Sequence, residues 1–221
     1  MMDMPAPAAW TPAQWALLVG MWWLMMVLMM TPAATPVVLL YARVRRHAAA
    51  GAAPVLPGAG LATQLAIAAF VLGYATAWLV FSVAAAGAQQ WLQQAHWLSP
   101  ATMGSAHDYF SAAVLLAAGL YQLSPLKGAC LAQCRSPAAF LSRHWRPGAG
   151  GALRLGLLHG AYCVGCCWLL MALLFVGGVM NAWWIVGLAL LVLAEKYLPG
   201  GQWLGRAVGV LLLAWGVLLL L

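Results

Sequence analysis

His159, Cys163, Cys166 and Cys167 stand in the string His159-Gly160-Ala161-Tyr162-Cys163-Val164-Gly165-Cys166-Cys167-Trp168. An imidazole and three thiols are thereby placed inside an apolar run long enough to cross a bilayer. Charged side chains at the centre of a spanning helix cost roughly 2.5–3.5 kcal/mol each on insertion scales, and polar groups that persist there usually face the bundle interior and serve a site. At about 100° per residue, His159, Cys163 and Cys166 fall within an arc of ~60°, with Cys167 roughly 40° beyond it. Thiolate and imidazole form the soft ligand set that suits Cu(I), with zinc as the alternative ion. A small Cys also packs well between helices, and a single membrane His can bond a backbone carbonyl. Four such residues on one face point instead to a metal or redox site.

A second pair, Cys130 and Cys134, lies in the run from Tyr121 to Pro137. If 126–135 is helical, the two thiols sit one turn apart on one face, where they can share a soft metal or a disulfide. The helical rise of about 1.5 Å per residue puts His159 only ~8 Å from Arg154 along its helix. The loop thiols are therefore expected to share or relay one metal with the His159–Cys163 face. Glu195 is the sole Glu. It adjoins Lys196, and neighbours on a helix point apart, so it is expected to meet Lys127, an Arg or a metal ligand. A further role for it is to accept the free N–H of a ligating His159. Met26 and Met30 form one stripe on the first apolar segment, and Met21, Met25 and Met29 another. Thioethers bind Cu(I), although Met is equally the flexible filler of apolar packing. His96, His107 and Asp108 precede or begin the third segment, where the carboxylate offsets a helix dipole and the group could serve as an outer metal uptake point.

The elements that hold these residues follow from composition. Charged residues make up 6% of the chain and hydrophobic ones 66%, and the mean hydropathy is +0.92. These values predict an all-α polytopic membrane helix bundle in a single integral membrane domain, residues 1–221. Six spans are expected near 13–30, 61–86, 109–123, 155–176, 182–194 and 204–221, with a Cys-containing cytoplasmic loop near 124–154. Pro32 and Pro36 should kink or end the first helix, and Ala48–Gly60 reads as a connecting loop. Asp3 stands where a signal peptide would carry basic residues, so the first segment reads as a membrane helix rather than a removable leader. In the six-helix arrangement all ten Lys and Arg fall on one side. The positive-inside rule makes that side cytoplasmic and both termini periplasmic. The net charge of +7 then reflects topology and contact with anionic membrane lipid, not nucleic acid. Five Cys cannot all pair, and those on the cytoplasmic side stay reduced, so disulfide stapling explains them poorly.

Three strings carry a resemblance: Tyr121-Gln-x-x-Pro125-Leu-Lys127-x-x-Cys130-Leu-x-x-Cys134-Arg135-x-Pro137, His159-Gly-x-x-Cys163-x-Gly-Cys166-Cys167-Trp168, and Leu191-x-x-x-Glu195-Lys196 preceded by Met180-Asn181. With Trp23, Met26, Met30 and Pro32 in the first segment, they resemble the bacterial family of predicted metal-binding integral membrane proteins, a family of unknown function. The resemblance implies a multi-pass protein of the bacterial inner membrane with a metal site. The leading expectation is a protein that binds, handles or relays Cu(I) through the intramembrane Cys/His cluster. The alternative is an integral-membrane copper-dependent oxidase or oxygenase, or a subunit of one, built on His159, Glu195, His107 and Asp108. A third possibility is an assembly subunit whose Gly156-x-x-x-Gly160 pair packs helices closely, with another membrane or periplasmic metalloprotein as its partner. No hydrolytic, phosphoryl-transfer or nucleotide-binding motif is present.

Overall fold

The computed structural model describes residues 11–50, 59–99 and 102–221. Among them the chain is helical: α1 (Pro12–Ala50), α2 (Ala59–Gln94), α3 (Asp108–Leu123), α4 (Pro125–Arg135), α5 (Pro137–His144), α6 (Gly148–Ala172), α7 (Leu174–Gly177), α8 (Ala182–Tyr197) and α9 (Gly201–Leu218). Four stretches are long and apolar enough to cross a membrane: Pro12–Ala48, Gly60–Gln94, Gly148–Gly177 and Gly201–Leu218. The pair α3 and α4, bent by 64°, makes a fifth if taken as one broken span. The six spans expected from sequence are not reached by length, because α3 and α8 have only 16 residues each and about 20 are needed to cross unaided.

The first helix, expected to kink or end at Pro32 and Pro36, does not end there but runs on to Ala50. Pro36 has no N–H to give the carbonyl of Pro32 four residues back. The Tyr197 hydroxyl donates to that carbonyl at 3.4 Å and to Ala33 O at 2.9 Å, so the exposed backbone has a partner from α8. Thr31 and Thr35 hydroxyls add bonds to Val27 O and Thr31 O. The segment 124–154, expected as a Cys-containing connection with a helix near 126–135, holds α4, α5 and the first turns of α6. Ser124 has extended backbone, its hydroxyl accepts from Lys127 N at 3.2 Å, and Pro125 takes the first helical position. This cap both stops α3 and starts α4. Of the loop expected at Ala48–Gly60, α1 and α2 claim the ends, and 51–58 lie outside the described residues.

Small residues set the helix seams. A Cβ on Gly73 would run into the Leu153 carbonyl and one on Gly156 into the Phe70 carbonyl, while one on Gly160 would meet Ala77 Cβ at 2.6 Å. The Gly156-x-x-x-Gly160 pair is thus used inside the chain, where it brings α2 against α6. Gly119 and Gly209 do the same for α3 and α9, with Gly209 O 2.8 Å from a Cβ placed at Gly119. The main core contains Trp22, Met26, Met30, Trp78, Cys163, Cys166, Cys167 and Met171. A second core, of Tyr41, Phe70, Phe140 and Leu155, lies towards α5. Outward faces carry Leu17, Leu72, Val80, Trp183, Leu211 and Leu218, an apolar exterior well beyond that of a soluble monomer.

Candidate metal centre

On α6, His159, Cys163, Cys166 and Cys167 are all buried, none more than 2% exposed. Helical spacing directs the thiols of Cys166 and Cys167 back to one acceptor, the Cys163 carbonyl, at 3.1 and 3.0 Å. Cys134 of α4 is buried in the same core as Cys163, Cys166 and Cys167.

Cys134 enters that core from α4 because the bend after Ser124 lays α4 against α6. Gly165 makes the approach possible: a Cβ there would lie 3.0 Å from Cys130 Sγ. The Tyr121 hydroxyl donates to Gly165 O and ties the end of α3 to the same turn. The Cys-x3-Cys helix therefore does not project away from the bundle. It meets α6 at Gly165, the turn beyond the His159–Cys163 face that sequence pointed to.

The other two walls come from α8 and α2. Lys196 Nζ donates to Cys163 Sγ at 3.0 Å, with the side chain buried. The Tyr74 hydroxyl lies 3.3 Å from the same sulfur and 3.3 Å from Met30 O. Neither residue was singled out from sequence. Lys196 was counted among the charges of a cytoplasmic surface, whereas both it and Lys127 are buried. The available signal was Lys196 beside the sole Glu at the end of an apolar run; Tyr74 carried none. Glu195 faces the opposite way, as expected of adjacent helical residues. Its carboxylate accepts from Lys127 Nζ at 2.6 Å and from Gln122 Nε2 at 2.7 Å. Arg135 Nη1 donates to its backbone carbonyl at 2.8 Å. Glu195 is thus an ion-pair partner of α4, and the role of supporting His159 is not one its contacts serve.

A family model described as PpoB2, copper chaperone, matches residues 19–219. The chain belongs to the PpoB2 copper chaperone family. No curated protein and no solved structure matches it. The match covers every thiol, His159, Lys196 and the Glu195 pair, so the buried sulfur cluster lies within the region that defines this copper chaperone family.

Fit to copper can be judged on the donors. Among the described residues, no group of three or more His, Cys, Asp or Glu side chains is set to hold a metal ion. Zinc, which takes four ligands in structural sites, lacks a ready cage. Cu(I) is satisfied by two sulfurs, and soft thiolates are its preferred donors. His159 sits in an aromatic box with ring centroids of Phe140, Tyr74 and Phe70 at 5.2, 5.9 and 6.4 Å. Its buried Nδ1 has no hydrogen-bond partner among the described residues, so the plain role of bonding a backbone carbonyl is not filled there through that atom. Met26 and Met30 are fully buried in the core that contains the thiols. His107 and Asp108 are exposed at the start of α3. The rise of about 1.5 Å per residue separates them by some 20 Å from the Ser124 end, where α4 begins.

Proposed function

We propose that this PpoB2-family protein is a multi-pass protein of the bacterial inner membrane that receives, holds and passes on Cu(I) through its buried thiols. The ion is cargo. Two thiols at a time, from among Cys163, Cys166 and Cys167 of α6 and Cys134 of α4, hold it, while Cys130 and His159 border the cluster and give it routes in and out. The observation that carries the reading is the burial of Cys134 of α4 in one core with Cys163, Cys166 and Cys167 of α6: two helices from separate parts of the chain bring thiols into a buried, apolar setting that suits a soft ion. Met26 and Met30 supply soft surroundings. With α3 and α8 also crossing among their neighbours, six spans (α1, α2, α3, α6, α8 and α9) would leave the basic residues of α1, α4, α5 and the start of α6 on a common side, the cytoplasmic one, with both termini periplasmic. A membrane or periplasmic copper protein is the recipient class that fits a chaperone. The harder ligands wanted by an oxidase or oxygenase, His107 and Asp108, lie at the far end of α3, which favours relay over catalysis.

The test is copper binding by protein purified in detergent without a metal-affinity tag. Cu(I) titrated against a chromophoric chelator should be retained by the wild type and largely lost by Cys163→Ser/Cys166→Ser. Full retention in that double variant would remove the thiols from the function.

A further inference from the structure

Among the described residues, Lys196 is a buried ammonium with no carboxylate beside it. The chain has three acids, Asp3, Asp108 and Glu195. Glu195 is taken by Lys127 in the one ion pair found among the described residues, Asp108 sits at the distant start of α3, and Asp3 is outside the described residues. The groups that face Lys196 are sulfurs and rings. Its Nζ touches Cys163 Sγ, and Cys134, Cys166 and Cys167 lie within electrostatic range, as do Tyr74, His159 and Tyr197. A buried cation is costly unless an anion accompanies it.

We propose that Lys196 is the residue that selects the charge of the bound metal, making the site fit a monovalent ion and reject a divalent one. This rests on the reading that the thiols hold copper. When Cu(I) enters, two thiols each release a proton and form two Cu–S bonds. The resulting bis-thiolate complex carries one negative charge, which the ammonium cancels. With Zn(II) the same two thiolates give a neutral complex and leave the ammonium unbalanced in a low-dielectric interior. A third thiolate would restore balance for zinc, and among the described residues no trio of ligands is set for one. Lys196 thus acts through the thiols, as a specificity residue and not as a ligand.

The experiment measures Cu(I) and Zn(II) affinities by chelator competition on the full-length protein in detergent, for the wild type, Lys196→Met, Lys196→Gln and Lys196→Arg. Loss of the charge should lower Cu(I) affinity by about a hundredfold, given charges ~4 Å apart in a medium well below the dielectric of water. Zn(II) affinity should hold or rise, so the Cu(I)/Zn(II) ratio collapses in Met and Gln and survives in Arg. Size-exclusion profile and melting temperature establish that each variant is folded, and Gln, which can still donate to the sulfur, covers a misfolded Met. An unchanged ratio in a folded Met or Gln variant, with copper still lost from Cys163→Ser/Cys166→Ser, overturns the role of Lys196 alone. A wild-type protein that binds no Cu(I) overturns the copper reading and this inference together.

Discussion

Lys127 of α4 and Glu195 of α8 form a buried ion pair, Nζ to Oε2 2.6 Å, at 3% and 2% side-chain exposure. Gln122 of α3 bonds both partners, so a single carboxylate gathers three helices. Removing one partner leaves an uncompensated charge in the interior, which typically costs about 3–5 kcal/mol, whereas replacing both can be nearly neutral. Glu195→Ala should therefore lower the melting temperature of the detergent-solubilised protein sharply. Lys127→Met/Glu195→Leu should recover most of that loss, and equal destabilisation of the single and double variants would argue against the pair.

The α2–α6 seam should be intolerant of a single methyl group. Gly156→Ala drives Cβ into the Phe70 carbonyl, and overpacking of this kind costs roughly 1–3 kcal/mol. Gly20→Ala has nothing within 4 Å of its new Cβ and gains helix propensity of up to about 1 kcal/mol. Thermal unfolding of the two variants side by side should move in opposite directions.

Copper binding should respond to a residue that carries no sulfur. Gly165→Leu places side-chain atoms where Cys130 Sγ now lies, displacing α4 and with it Cys134 from the core of the α6 thiols. Chelator competition should show Cu(I) affinity reduced at least about tenfold, a loss of ~1.4 kcal/mol. Undiminished affinity would mean that α6 alone holds the ion.

Reporter fusions read the topology. A periplasm-active enzyme fused after Leu221 should be active and a cytoplasm-active one silent, because the basic residues are then inside. The opposite pattern would reverse the assignment of both termini.

The helical, apolar character of the chain was legible in its sequence, as were the grouping of His159, Cys163, Cys166 and Cys167 on one helix and the turn of Glu195 away from Lys196. These depend only on hydropathy and on an angle of about 100° per residue, both local properties. The continuation of α1 past Pro32 and Pro36 was not legible. The hydroxyl that partners the Pro32 and Ala33 carbonyls belongs to Tyr197, more than 160 residues away.

The sequence by itself thus determined what chemistry is present: soft donors, one buried-capable acid, helices long enough to hold them in lipid, and a copper-related family. Only the tertiary structure decided which donors meet. The Ser124–Pro125 bend brings Cys134 into the core of the α6 thiols, the missing side chain of Gly165 lets α4 approach, and α8 delivers Lys196 rather than Glu195 to Cys163. Such pairings are set by helix seams between distant segments, where close packing depends on steric fit across the interface, and no local period along the chain encodes that fit.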